Sequence, residues 1–161
     1  MSDLKIELIS PFVEAARDVY GGFIGMPIRR KDLYLKQGYR MFGEVSAIIG
    51  LSGVVTGTCA ISLSAKAAVQ TVEHMLSEPI PQGANCLEVR DGIGETVNMI
   101  AGKAKGTLST TRYKFDITLP TIISGVGHEF FQRRGTHCVV VLFQTLGGEL
   151  FTLEVSVAAR T

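Results

Sequence analysis

Apolar positions recur along this chain with two different periods, and each change of period marks a new element. Phe12, Ala16, Val19 and Phe23 follow helical spacing. They predict a first helix over 10–24, with Ser10 as its cap and Pro11 in its first turn. Gly21, Gly22 and Gly25 soften the end of that helix, and Pro27 stops it. Strand signals follow. Leu33 and Leu35 alternate with charges, and residues 44–51 and 54–63 are β-rich and meet at Ser52-Gly53, a hairpin-type junction. Helical spacing returns over 65–76, where Ala68, Val72, Met75 and Leu76 are available to pack.

Pro79, Pro81 and Gly83 mark a loop. Asn85 followed by Glu88 has the form of a capping box opening a long helix from about 86 to 108. At 1.5 Å per residue that helix is roughly 34 Å long. Its expected core face is Val89, Ile93, Val97, Ile100, Ala104 and Leu108, and its other face carries Asp91, Glu95, Asn98, Gly102 and Lys105. The last third is β-rich again, over 113–119, 121–127, 137–144 and 149–158, with Gly147-Gly148 as a tight hairpin. In the final strand Phe151, Leu153, Val155 and Val157 alternate with Thr152, Glu154 and Ser156, so one face is expected buried and the other wetter. The order predicts an α+β fold, long helices packed on a largely antiparallel sheet in a single domain over 1–161. A weak internal pseudo-repeat, a helix with an acid near its start and then strands, begins once at Glu14 and again at Glu95.

Composition narrows the chemistry. A chain of 161 residues can bury roughly 70% of its extended surface without disulfide or metal support. Apolar residues make up 46% and charged residues 19%, and the net charge is +1. This is a globular balance without the electrostatic footprint of a nucleic-acid or membrane binder. No apolar run of about 18 residues predicts membrane insertion. MSDLKIELIS has no apolar leader, and Cys59, Cys86 and Cys138 are widely spaced, so reduced thiols and a cytoplasmic location are expected. The cysteines read as small buried residues, and His74, His128 and His137 show no ligand spacing, so neither a metal site nor a cofactor is expected in this chain. GGFIG and GVG lack the strand–loop–helix glycine spacing of a phosphate loop. Arg29-Arg30-Lys31 and Arg133-Arg134 are expected in loops, where they could dock an acidic partner. There is no nucleophile elbow, Ser-His-Asp arrangement or C-x5-R loop.

Glu95 and Asn98 are the chemistry that remains. Three positions apart on a helix, they share a face. A carboxylate beside a carboxamide can hold a cation and position a water. Asn is a poor mid-helix residue, and Gly92, Gly94 and Gly102 each cost the helix about 1 kcal/mol against Ala. A helix built this way is not optimised for stability alone. Asp91, one turn before Glu95, could extend the acidic surface, though a solvated acid near a helix start is the simpler reading.

SPFVEA (10–15), IIGLSG (48–53), GETVNMIAG (94–102), LPTIISGVGH (119–128) and GGELFTLEVS (147–156) together resemble the CheC/CheX/FliY family of chemotaxis phosphatases. The match to the E-x-x-N signature, at Glu95 and Asn98, is the most specific. The first helix has Glu14, but Arg17 stands at its amide position. A single pair favours the CheX branch over CheC, which carries two. The resemblance implies a phosphatase that acts on the aspartyl phosphate of a CheY-type response regulator. Asn98 would hold a water in line with phosphorus, and Glu95 would pair with the receiver's lysine. Mg²⁺ is expected on the receiver, and a homodimer joined through sheet edges is implied. The alternative is a non-catalytic dimeric module that binds a response regulator in a two-component pathway. A flagellar-switch role like that of FliY would need a further C-terminal domain.

Overall fold

A computed structural model describes residues 6–133 and 135–159. Helix α1 spans Ile6–Asp18 and passes directly into a π-helical turn, Val19–Ile24. It therefore begins before Ser10, which does not cap it, and Pro11 lies in its interior rather than in its first turn. The reason is the apolar stripe. Leu8, Ile9, Phe12, Val13 and Ala16 are all buried, and their burial outweighs the hydrogen bond that an interior proline removes. The wider π turn shifts the helical register. Val19, Tyr20 and Ile24 go inward, while Phe23, expected in the core, is 62% exposed. Gly25 ends the turn in the left-handed region, φ 76°.

Among the described residues seven strands follow: β1 (Ile28–Leu35), β2 (Val45–Gly53), β3 (Val55–Leu63), β4 (Phe115–Ile117), β5 (Thr121–Ser124), β6 (Cys138–Thr145) and β7 (Leu150–Ala159). Helices α2 (Ala65–Leu76) and α3 (Leu87–Leu108) separate β3 from β4. The sheet is antiparallel in order β1-β6-β7-β3-β2-β4, and β5 also pairs with β2. The pseudo-repeat is visible in this order. Hairpins β2–β3 and β6–β7 meet at the centre through β3 and β7, and each half's outer strands lie against the other half's hairpin. The arrangement is the α+β one expected. Arg29, Arg30 and Lys31 are on β1, not in a loop. Arg133 is in a loop, and Arg134 lies outside the described residues.

α1, α2 and α3 cover one face of the sheet. Val45, Ala47, Ile49, Ile61, Leu63, Val141, Phe143, Phe151, Leu153 and Val155 point into the core beneath them. Ser64 caps α2 by accepting the Ala67 N–H at 3.1 Å. Met75 packs against the core, but Leu76, expected to do the same, is 46% exposed at the end of α2. The other sheet face departs from expectation. Thr152, Glu154 and Ser156 are all buried, because the segments before β2 and after β5 fold over them. Met41, Ile48 and Ala60 form a second small apolar cluster there with Ile123 and Phe130. Ser46 joins Ser62 at 2.8 Å and His128 Nε2 at 2.7 Å. Strand alternation shows that a face is polar, but not that distant loops will cover it.

Candidate functional site

α3 is the element that carries Glu95 and Asn98. All six residues expected on its core face, Val89, Ile93, Val97, Ile100, Ala104 and Leu108, are buried. Its N-cap is Cys86, without a side-chain cap bond, so Asn85 does not close a capping box. Instead Asn85 accepts from Arg90 through its backbone carbonyl at 3.0 Å and from the Ser124 hydroxyl through its side chain at 2.8 Å. These bonds tie the start of α3 to the end of β5.

Two glycines set how deeply α3 is seated. A Cβ at Gly92 would fall 2.5 Å from Val72 Cγ2, so α2 crosses α3 there at close range. A Cβ at Gly94 would fall 3.0 Å from Ile122 Cδ1 and 3.6 Å from Pro120 Cγ, so the start of β5 rests on the helix. The sequence pattern did not single out Pro120 or Ile122. Both lie within LPTIISGVGH, a segment of the family resemblance, but the one local hint that they touch α3 was an otherwise unfavourable glycine in mid-helix. Leu119, the residue before Pro120, is 88% exposed, and Leu87 at the helix start is 65% exposed.

With the core face fixed inward, Glu95 is exposed and Asn98 half-buried on the opposite face. Among the described residues neither side chain has a hydrogen-bonding or ion-pairing partner. Asp91, one turn earlier, is exposed too. The two lysines of α3 are drawn sideways. Lys103 Nζ lies 3.9 Å from Asp18 on α1, and Lys105 Nζ lies 3.0 Å from Asp116 on β4. The outward face thus presents a carboxylate and a carboxamide beside each other, acidic and without internal satisfaction. Such a surface suits a cationic group on a partner and a water to be oriented.

The remaining polar groups do other work. Glu14 and Arg17 are exposed on α1. Cys59 and Cys138 are buried, and Cys86 is half-buried, so the reading of all three as buried holds for two. Burial pushes the Cys138 thiol up to about 12, with the Glu154 carboxylate adding to the effect, which makes it a poor nucleophile. His128 bonds Ser46 and the Gly125 carbonyl, and His74 the Gln70 carbonyl.

A family model described as Chemotaxis phosphatase CheX matches residues 45–144. The chain belongs to the CheX family. The match runs from the start of β2 to one residue short of the end of β6 and includes all of α3. Solved structures agree over nearly the full length. A CheC-like superfamily protein from Shewanella SP. PV-4 is 26% identical with a TM-score of 0.87, covering 97% of this chain and 100% of its own. The chemotaxis protein CheX of Desulfovibrio desulfuricans is 28% identical with a TM-score of 0.82, covering 96% and 100%. The CheX-CheY-BeF3-Mg²⁺ complex of Borrelia burgdorferi is matched at 25% identity and a TM-score of 0.80, covering 95% and 99%. No curated protein matches the chain. Among the described residues, no helix is long and apolar enough to cross a membrane.

Proposed function

We propose that this CheX-family chain hydrolyses the aspartyl phosphate of a CheY-type response regulator, with Asn98 and Glu95 as its working residues. The observation that carries the proposal is the pair itself. Both side chains sit on the outward face of α3 without partners among the described residues, in a chain of a phosphatase family. The Borrelia burgdorferi relative was solved in complex with CheY and BeF3, which supports a receiver as the substrate.

The chemistry asks little of the phosphatase. An acyl phosphate is already activated, and the receiver brings Mg²⁺ and the groups that shield the phosphoryl oxygens. The phosphoryl group passes through a loose transition state, so placing the nucleophile can dominate the rate. The Asn98 amide accepts a hydrogen bond from a water and aims its oxygen at phosphorus. As the new P–O bond forms, the bond to the aspartyl oxygen breaks, leaving a carboxylate on the receiver and inorganic phosphate. Glutamine plays the same orienting part in small GTPases. Glu95 pairs with the receiver's lysine, which fixes the pose and leaves the Asn98 amide over the site.

The chain carries one such pair, since Arg17 stands where α1 would need an amide. Two sites would then come from a homodimer. The outer side of β1 is open to strand pairing among the described residues, and light scattering would give the assembly's mass. The substrate places the protein in the cytoplasm with the receivers. The proposal is tested by loading CheY-type receivers from phosphoramidate with Mg²⁺ present and following phosphate release. Addition of the chain should speed release from at least one receiver. Binding without acceleration of any of them would leave a non-catalytic module instead.

A further inference from the structure

The residues one turn to either side of Asn98 are glycines, and the spacing continues: Gly94, Asn98, Gly102, Gly106. Residues four apart stack along one helix face. Gly94 has an internal reason, because Ile122 and Pro120 occupy the space of its side chain. Gly102 and Gly106 have none. A Cβ at either would meet no heavy atom within 4 Å beyond the helix's own backbone, and neither has a positive φ. Alanine would fit both places and favour the helix. The flanks of this strip are held aside as well, Lys103 toward Asp18 and Lys105 toward Asp116.

Asparagine is short, with one methylene between backbone and amide. For its amide to reach a phosphoryl group in a cleft of another protein, the helix backbone must itself approach that cleft. A side chain one turn away on the same face would hold it off. We infer that Gly102 is a positioning residue that sets the approach of α3 to the phosphorylated receiver. The bare backbone there lets the receiver lie close enough for Asn98 to act. This rests on the phosphatase reading above and adds what fixes the standoff and therefore which receivers fit.

The test compares wild type, Gly102→Ala and Gly102→Leu by steady-state dephosphorylation of a receiver loaded from phosphoramidate, together with thermal melts. Gly102→Ala should melt higher than wild type yet dephosphorylate less efficiently. Gly102→Leu should stay folded with kcat/KM lowered about tenfold or more, through a fall in kcat as well as a rise in KM. A glycine with no role beyond the fold would leave the kinetics of both variants unchanged whatever their melting temperatures, and that result overturns the inference. A wild-type chain inactive on every receiver would overturn the phosphatase reading and the inference with it. An active wild type matched by Gly102→Leu overturns the inference alone.

Discussion

Lys36 Nζ lies 2.7 Å from Glu154 Oε1, with the two side chains only 7% and 3% exposed. This ion pair sits on the sheet face away from the helices, where Lys36 also reaches Met41 Sδ at 3.2 Å. Replacing one partner strands the other charge in the interior. Lys36→Met alone should cost about 3–5 kcal/mol of stability, and Lys36→Met with Glu154→Leu should recover most of that loss. Urea denaturation of the three chains checks both statements. The pair is remote from α3, so the folded variants should retain the kinetics of wild type.

Two glycines of α3 should respond oppositely to the same change. Gly102→Ala adds a methyl in open space and should stabilise the chain by about 1 kcal/mol. Gly92→Ala drives a methyl to within 2.5 Å of Val72 Cγ2, and overpacking of about 1–3 kcal/mol should meet or exceed the same helical gain. Thermal melts should therefore rise for one and fail to rise for the other. Val72→Ala combined with Gly92→Ala should lose less than the sum of the single changes.

The buried thiols predict an alkaline limit. Burial raises Cys59, and burial followed by the Glu154 carboxylate raises Cys138 to about 12, opposed by Lys36. Thiols of the unfolded chain ionise near pH ~8.5, so above that pH the unfolded state has fewer protons than the folded one. Stability from these groups is complete below about pH 8.5 and falls as pH rises toward the folded values. Tyr20 and Tyr34 are raised as well, both first by desolvation, and act in the same direction at higher pH. Urea midpoints should drop between pH 8 and 10. Alkylation of the native chain should label half-buried Cys86 well before Cys59 and Cys138. Equal labelling of all three would contradict the burial.

Glu95 and Asn98 should fail in different ways. Glu95→Ala should weaken receiver binding, seen mainly as a raised KM. Glu95→Lys should be worse, because it sets a like charge against the receiver's lysine. Titration calorimetry with a receiver held in its BeF3 form, beside steady-state kinetics, separates the two effects.

Much of α3 was legible because its signal is local. Six apolar residues at helical spacing fixed the inward face, and that alone turns Glu95 and Asn98 outward. The strands were legible as elements for the same reason. What escaped the sequence depends on distant contacts. Ser10 and Pro11 looked like a helix start, but Leu8 and Ile9 had core to fill, and their burial carried the helix past the proline. Phe23 kept helical spacing until a π turn moved the register. Thr152, Glu154 and Ser156 read as a wetter face because alternation cannot show that the residues around Met41 and Phe130 fold over it. Pro120 and Ile122, which seat α3 at Gly94, are twenty-six and twenty-eight residues further along the chain, and nothing in their own neighbourhood points to the helix.

The most direct test of the account is Asn98→Ala. It removes the amide and leaves the helix a better former, so the fold should survive with an unchanged or slightly raised melting temperature. Followed against a phosphorylated CheY-type receiver with Mg²⁺, the variant should still bind and should lose most of the acceleration, about 10²-fold or more in kcat. Dephosphorylation at the wild-type rate by a folded Asn98→Ala chain would contradict the account.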